Sequence, residues 1–186
     1  APELDQKRES ASRWITWARR STDGSKVVYE SRGDILLQDR ASGDVTSLTA
    51  SSGVAERSPI FSPDDASVAY FSDASGEYAF HIHGISDGKV RPIAFGAHPT
   101  FYRDPQWSPD GRHIAFSGKD NKLWMARVNA GKAMTIAESD YLANDTFRAV
   151  WSPCGRYLAY SLGLSHHNRR LMLYDVDGEQ SHTLTT

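Results

Sequence analysis

The 186-residue chain has one cysteine, Cys154, and three methionines. A single thiol excludes an intrachain disulfide and any zinc site built from several cysteines. That suits a reducing compartment without excluding an oxidising one, so a cytoplasmic location is expected ahead of a periplasmic or secreted one. No run approaches the roughly 18 apolar residues of a membrane-crossing helix, and no basic start leads into an apolar signal segment. The chain as given is expected to be soluble. An excess of one charge is missing too: 21 Lys and Arg face 23 Asp and Glu, a formal net charge of −2. Nucleic-acid affinity comes mostly from neutralised phosphates, so neither nucleic acid nor a membrane is an expected partner. The Gly-x-Ser-x-Gly elbow of α/β-type serine hydrolases is absent as well, since Gly163-Leu164-Ser165 lacks the second glycine. No motif implies a cofactor.

What is there is repetition. Phe61-Ser62-Pro63-Asp64, Trp107-Ser108-Pro109-Asp110 and Trp151-Ser152-Pro153-Cys154 are three copies of one phrase, and Trp17 is taken to open a degenerate fourth. These aromatic anchors lie 44, 46 and 44 positions apart (17 to 61, 61 to 107, 107 to 151), a period typical of propeller blades. Each copy divides into four strands. The anchor ends the first, and a turn follows in which Pro presets φ and Asp bonds its own backbone. The second strand alternates aliphatic and aromatic residues, as in Val68-Ala69-Tyr70-Phe71 and Ile114-Ala115-Phe116. The third, for example Leu123-Trp124-Met125, is apolar on both faces, as a strand between packed sheets should be. The fourth is polar and belongs at the rim.

No window keeps a helical period, so the expected fold class is all-β: a β-propeller of four four-stranded antiparallel blades. The blades are expected at about 14–51, 55–96, 101–138 and 145–186, after a charged extension over 1–13. Anchor and second-strand aromatics should fill the gaps between blades, so truncating Trp107 or Trp151 to Ala should cost roughly 3–5 kcal/mol. Propellers usually carry four to eight blades, and an arc of a larger ring is expected. An arc leaves the outer faces of its end blades open, and self-association through them follows.

One stretch runs Gly53-Val54-Ala55-Glu56-Arg57-Ser58-Pro59 into Phe61-Ser62-Pro63-Asp64, and on through Phe71-Ser72-Asp73-Ala74-Ser75-Gly76-Glu77-Tyr78. With Phe101-Tyr102-Arg103-Asp104-Pro105-Gln106-Trp107 and Leu158-Ala159-Tyr160-Ser161, it resembles the second, seven-bladed propeller of the tricorn-type proteases. The Trp-Ser-Pro-Asp-Gly phrase is shared with periplasmic TolB-like propellers and the propellers of prolyl oligopeptidase relatives, within a wider TolB-like and WD-repeat-like group. The resemblance implies a noncatalytic segment of a tricorn-like serine protease, gating or channelling peptides to a catalytic domain absent from this chain. The alternative is a stand-alone TolB-like or WD-repeat-like module that binds a protein. Either way the expected partner is a peptide or protein.

Residues with chemistry to offer are few. Arg57 and Arg103 each sit four places before an anchor aromatic, and Arg148 lies one place later in its own copy. Near the axis they would present positive charge to a peptide's C-terminal carboxylate; pairing of an arginine with Asp104 or Glu56 is the plainer alternative. His81 and His83 share one face of a third strand and would need a carboxylate to hold a metal, so a partly exposed blade surface is expected there. Cys154 stands where other copies have the turn Asp, and nothing near it in sequence is expected to lower its pKa.

Overall fold

A computed structural model describes residues 14–95, 101–140, 147–165 and 168–185; the extension expected over 1–13 lies outside them. All sixteen elements among these residues are strands. Blade 1 comprises β1 (Ile15–Arg20), β2 (Lys26–Ser31), β3 (Asp34–Asp39) and β4 (Val45–Ser47). Blade 2 has β5 (Glu56–Phe61), β6 (Ser67–Ser72), β7 (Ala79–Gly84) and β8 (Val90–Ala94). Blade 3 has β9 (Tyr102–Trp107), β10 (His113–Gly118), β11 (Lys122–Arg127) and β12 (Lys132–Glu138). Blade 4 has β13 (Ala149–Trp151), β14 (Tyr157–Gly163), β15 (Arg169–Asp175) and β16 (Gln180–Thr183). Within each blade consecutive strands pair antiparallel, so the all-β propeller reading holds. At the rim, blades 2 and 3 also touch through one parallel pair, Lys132 beside Ala94.

A repeated serine clasp makes the turn after each inner strand. The Ser62 hydroxyl donates to Asp64 Oδ1 at 2.5 Å and accepts the Ser67 N–H at 3.0 Å. Ser108 does the same with Asp110 and His113, and Ser21 with Asp23 and Lys26. Ser152 keeps the clasp with Tyr157 N–H, and Cys154 Sγ takes the aspartate's place at 3.3 Å. This clasp corrects the phase of the first copy. Ser21 is the equivalent of Ser62, so the anchor position of blade 1 is Arg20, not Trp17. Registers agree: Arg20 lies opposite Val27 as Phe61 lies opposite Val68 and Trp107 opposite Ile114.

The turns also lock blades together. The residue after the clasped Asp, or after Cys154 in blade 4, has positive φ in all four copies: Gly24, Gly111 and Gly155, but Asp65 at +56° in blade 2. A non-glycine residue is strained there. The Asp65 carboxylate offsets this by accepting the Thr22 N–H at 2.8 Å and the Asp23 N–H at 3.2 Å, both in blade 1.

Three apolar clusters fill the three junctions. Val28, Ile35 and Leu37 meet Phe61, Val68 and Tyr70 between blades 1 and 2. Between blades 2 and 3 the aromatics stack edge on face, with Phe80 and Phe116 centroids 5.0 Å apart and Phe95 and Tyr102 4.7 Å apart. Such pairs add about 0.5–1.5 kcal/mol each beyond area burial. Leu123 and Met125 meet Leu158 and Tyr160 between blades 3 and 4. The second-strand aromatics are buried as expected, but Trp107 and Trp151 are only half-buried. They end the inner strands, and Trp107 lines an open cleft there. The third strand is buried on both faces in blades 2 and 3 but not in blade 4, where Arg169 and Leu171 of β15 are exposed and Tyr174 alone is buried.

Candidate functional site

Four inner strands, β1, β5, β9 and β13, converge on a groove made of two clefts. One, about 260 Å³, is lined by Trp17, Arg19, Asp104, Pro105, Gln106, Phe147, Arg148 and Ala149. The other, about 440 Å³, is lined by Arg19, Arg20, Ser21, Thr22, Ile60, Phe61, Ser62, Pro63, Pro105, Gln106 and Trp107. Arg19, Pro105 and Gln106 belong to both, so the clefts are continuous.

Local backbone explains why these side chains face the groove. Asp104 has φ +54°, and the pairing of β9 with β10 shifts register beside it, between Ala115 and Ser117. Ser58 in β5 has φ +53° at the matching bulge, and its N–H is accepted by Glu30 Oε2 of blade 1 at 3.0 Å. A bulge turns the strand and re-aims its side chains. The indole of Trp17 bridges to blade 2 by donating to Pro59 O at 3.2 Å, and Trp151 bridges blade 4 to blade 3 by donating to Gln106 O at 3.3 Å. Trp107 has no such bond: its buried Nε1 lacks a partner among the described residues.

The groove is cationic. The Arg19 guanidinium lies 4.1 Å from the Trp17 ring centroid, a cation–π contact that holds the side chain in place. Arg19, Arg20 and Arg148 are all exposed, and among the described residues none of the three forms an ion pair. Among the described residues Asp104 is the one acid lining either cleft.

The structure does not gather the three arginines singled out from sequence. Arg148 lines the groove, whereas Arg57 and Arg103 line neither cleft. Arg57 also forms no pair with Asp104 or Glu56. Its guanidinium packs 3.4 Å from the Phe101 centroid and 4.3 Å from that of Tyr78, and burial pushes its pKa down. Arg103 sits opposite Ser117 beside the bulge. Arg19 and Arg20 escaped the sequence reading because the first copy was phased on Trp17; the Ser21-Thr22-Asp23-Gly24 turn was the available signal.

Other candidates also move. His81 and His83 are the register partners of Tyr70 and Val68 in β6, and His81 keeps the partial exposure expected of a blade surface. His81 meets Tyr70 edge-on at 5.7 Å, burial lowers its pKa, and His83 is buried. Among the described residues no three His, Cys, Asp or Glu side chains come together as a metal site. Cys154 is exposed, and its thiol pKa is lowered, first by the Ser152 hydroxyl and then by the Arg156 N–H. The sequence reading missed this because the clasp serine had no visible role. Glu56 is buried with Oε1 accepting from Ser51 Oγ at 2.9 Å, and desolvation raises its pKa.

The model of the TolB beta propeller domain matches residues 10–186. No curated protein sequence matches the chain. Among solved structures, a tricorn protease crystal structure superposes with TM-score 0.79 at 18% identity, covering 95% of this chain and 17% of that one. TolB from Acinetobacter baumannii superposes with TM-score 0.63 at 20% identity, covering 90% and 42%. A putative TolB from Agrobacterium tumefaciens gives 0.63 at 21%, covering 90% and 64%. The chain thus spans less than two thirds of each of these proteins.

Proposed function

The chain belongs to the TolB β-propeller family, and from that premise we propose that its groove binds a peptide or a protein's end through the terminal carboxylate. The observation that carries this is the convergence of Arg19, Arg20 and Arg148 on one groove, with Asp104 the single acid lining it among the described residues. Guanidinium groups without a carboxylate partner are suited to bidentate recognition of one. Trp17 and Phe147 supply apolar surface beside them for the adjoining side chain.

The finer reading is a noncatalytic segment of a tricorn-like protease that gates or channels peptides toward catalytic residues lying elsewhere. The closer superposition on the tricorn protease than on either TolB structure supports it. A TolB-like module that docks a folded protein is the second reading, and the family match supports that one.

Fluorescence polarisation with short labelled peptides tests the proposal. Peptides with a free C-terminus should bind, with amidated versions about tenfold weaker, the loss of one charge-assisted hydrogen bond. Arg148→Ala should weaken the free-carboxylate peptide to a similar extent, and added salt should weaken it further. Equal binding of free and amidated peptides would sink the carboxylate assignment. Binding only to folded proteins favours the TolB-like reading.

A further inference from the structure

We infer that the ligand of the groove carries a lysine or arginine about three residues before its C-terminus, and that a crevice between blades 2 and 3 receives that side chain. The inference rests on the carboxylate assignment above and supplies the other half of the ligand. A third cleft, about 390 Å³, opens where the turn after β5 faces the turn after β9. It shares Ser62, Pro63 and Trp107 with the 440 Å³ cleft, so the two meet at the Trp107 ring. From Arg148 and Arg19 the groove thus runs along the inner strands to their turn end and then outward between two blades.

The turns explain why the crevice lies at this junction. Between blades 1 and 2, Asp65 closes the gap by accepting the Thr22 and Asp23 N–H groups. Between blades 3 and 4, Gly155 sits so close to Asp110 that a Cβ there would lie 2.8 Å from its Cγ. Gly111 holds the same place in blade 3, and a Cβ there would meet nothing nearer than Pro63 Cδ, at 3.9 Å. The two turns therefore stay apart. Buried Ile82 and Val128 give the crevice an apolar floor, beside the half-buried Trp107 ring. Above them stand two exposed carboxylates, Asp64 and Asp110. Asp110 lies 3.9 Å from Arg112 Nε, whereas Asp64 keeps Oδ1 in its clasp and forms no ion pair among the described residues. Exposed Arg91 is the one cation lining the crevice among those residues. A lysine or arginine stem lies well on apolar and aromatic surface while its head reaches a carboxylate. Asp104 and Trp107 are three residues apart on β9, about 10 Å at roughly 3.3 Å per residue. An extended peptide with its carboxylate beside Arg148 therefore places the side chain three residues back next to Trp107.

Fluorescence polarisation of the full chain tests this with labelled alanine-glycine peptides. Each carries lysine or its uncharged counterpart norleucine three residues before a free or an amidated C-terminus. With the free terminus, lysine should bind about fivefold tighter than norleucine, and the preference should vanish when lysine moves to the penultimate place. Asp64→Asn, whose amide oxygen can keep the clasp, should cut the ratio to about twofold; a ratio taken on one protein does not depend on its folded fraction. Arg91→Ala should raise lysine-peptide affinity about twofold. A cost of amidation without any preference for lysine overturns the inference and leaves the carboxylate assignment standing. A lysine preference that ignores position or survives Asp64→Asn in full puts the cation outside the crevice and also overturns it. A lysine preference with no cost of amidation sinks the carboxylate reading instead, and with it the placing of both ends of one peptide.

Discussion

Trp107 and Trp151 occupy the same place in the same phrase, yet their environments differ. The Trp151 indole donates to Gln106 of the neighbouring blade, while the buried Nε1 of Trp107 has no described partner. Trp151→Phe should therefore cost about 0.5–1.5 kcal/mol, the net worth of one hydrogen bond, whereas Trp107→Phe removes an unmet donor and should leave stability unchanged or slightly raised. Urea unfolding midpoints compare the two; a larger loss at Trp107 contradicts the account. Half-burial also puts truncation of either ring to Ala below the roughly 3–5 kcal/mol of a fully buried one. Nearly identical local sequence could not distinguish these indoles, because the partner is a backbone carbonyl some 45 residues away. Arg57 shows the same limit: its aromatic contacts, Tyr78 and Phe101, come from two different blades.

Turns and strands were far more legible, because their causes are local. The Ser-Pro-Asp-Gly phrase marks a tight turn wherever it occurs, and the structure adds the serine clasp that pulls the acids down. Ser21 and then Ser25 hold Asp23 at about 2, and Ser62 and then the Ala66 N–H hold Asp64 below its ordinary value. A carboxyl lowered in the fold stabilises it above the unfolded value of about 3.9, and that contribution is lost as pH falls through the folded value. The melting temperature should hold from neutral pH to about 5 and fall between about 4 and 2. Asp64→Asn should flatten part of that acid limb, since the amide keeps an acceptor oxygen and does not titrate; a limb of unchanged slope counts against the clasp. The turn phrase did not reveal that Asp65, at positive φ, joins two blades.

Four blades stacked in order predict a gradient of stability along the array. Blades 2 and 3 are packed on both sides, with β6, β7, β10 and β11 buried along most of their length, whereas β1 and β16 are almost wholly exposed. Amide exchange should be slowest in those four central strands and fastest in β1 and β16; uniform protection across all four blades would contradict this. Period, strand alternation and turn chemistry were enough to read an all-β propeller of four repeats from the chain, since each repeat writes its own strands and turns within about 45 residues. Which arginines share a groove and which indole is bonded depended on how separate blades approach one another. Those contacts join residues from different repeats, and near-identical repeats carry no local mark of which neighbour they will meet.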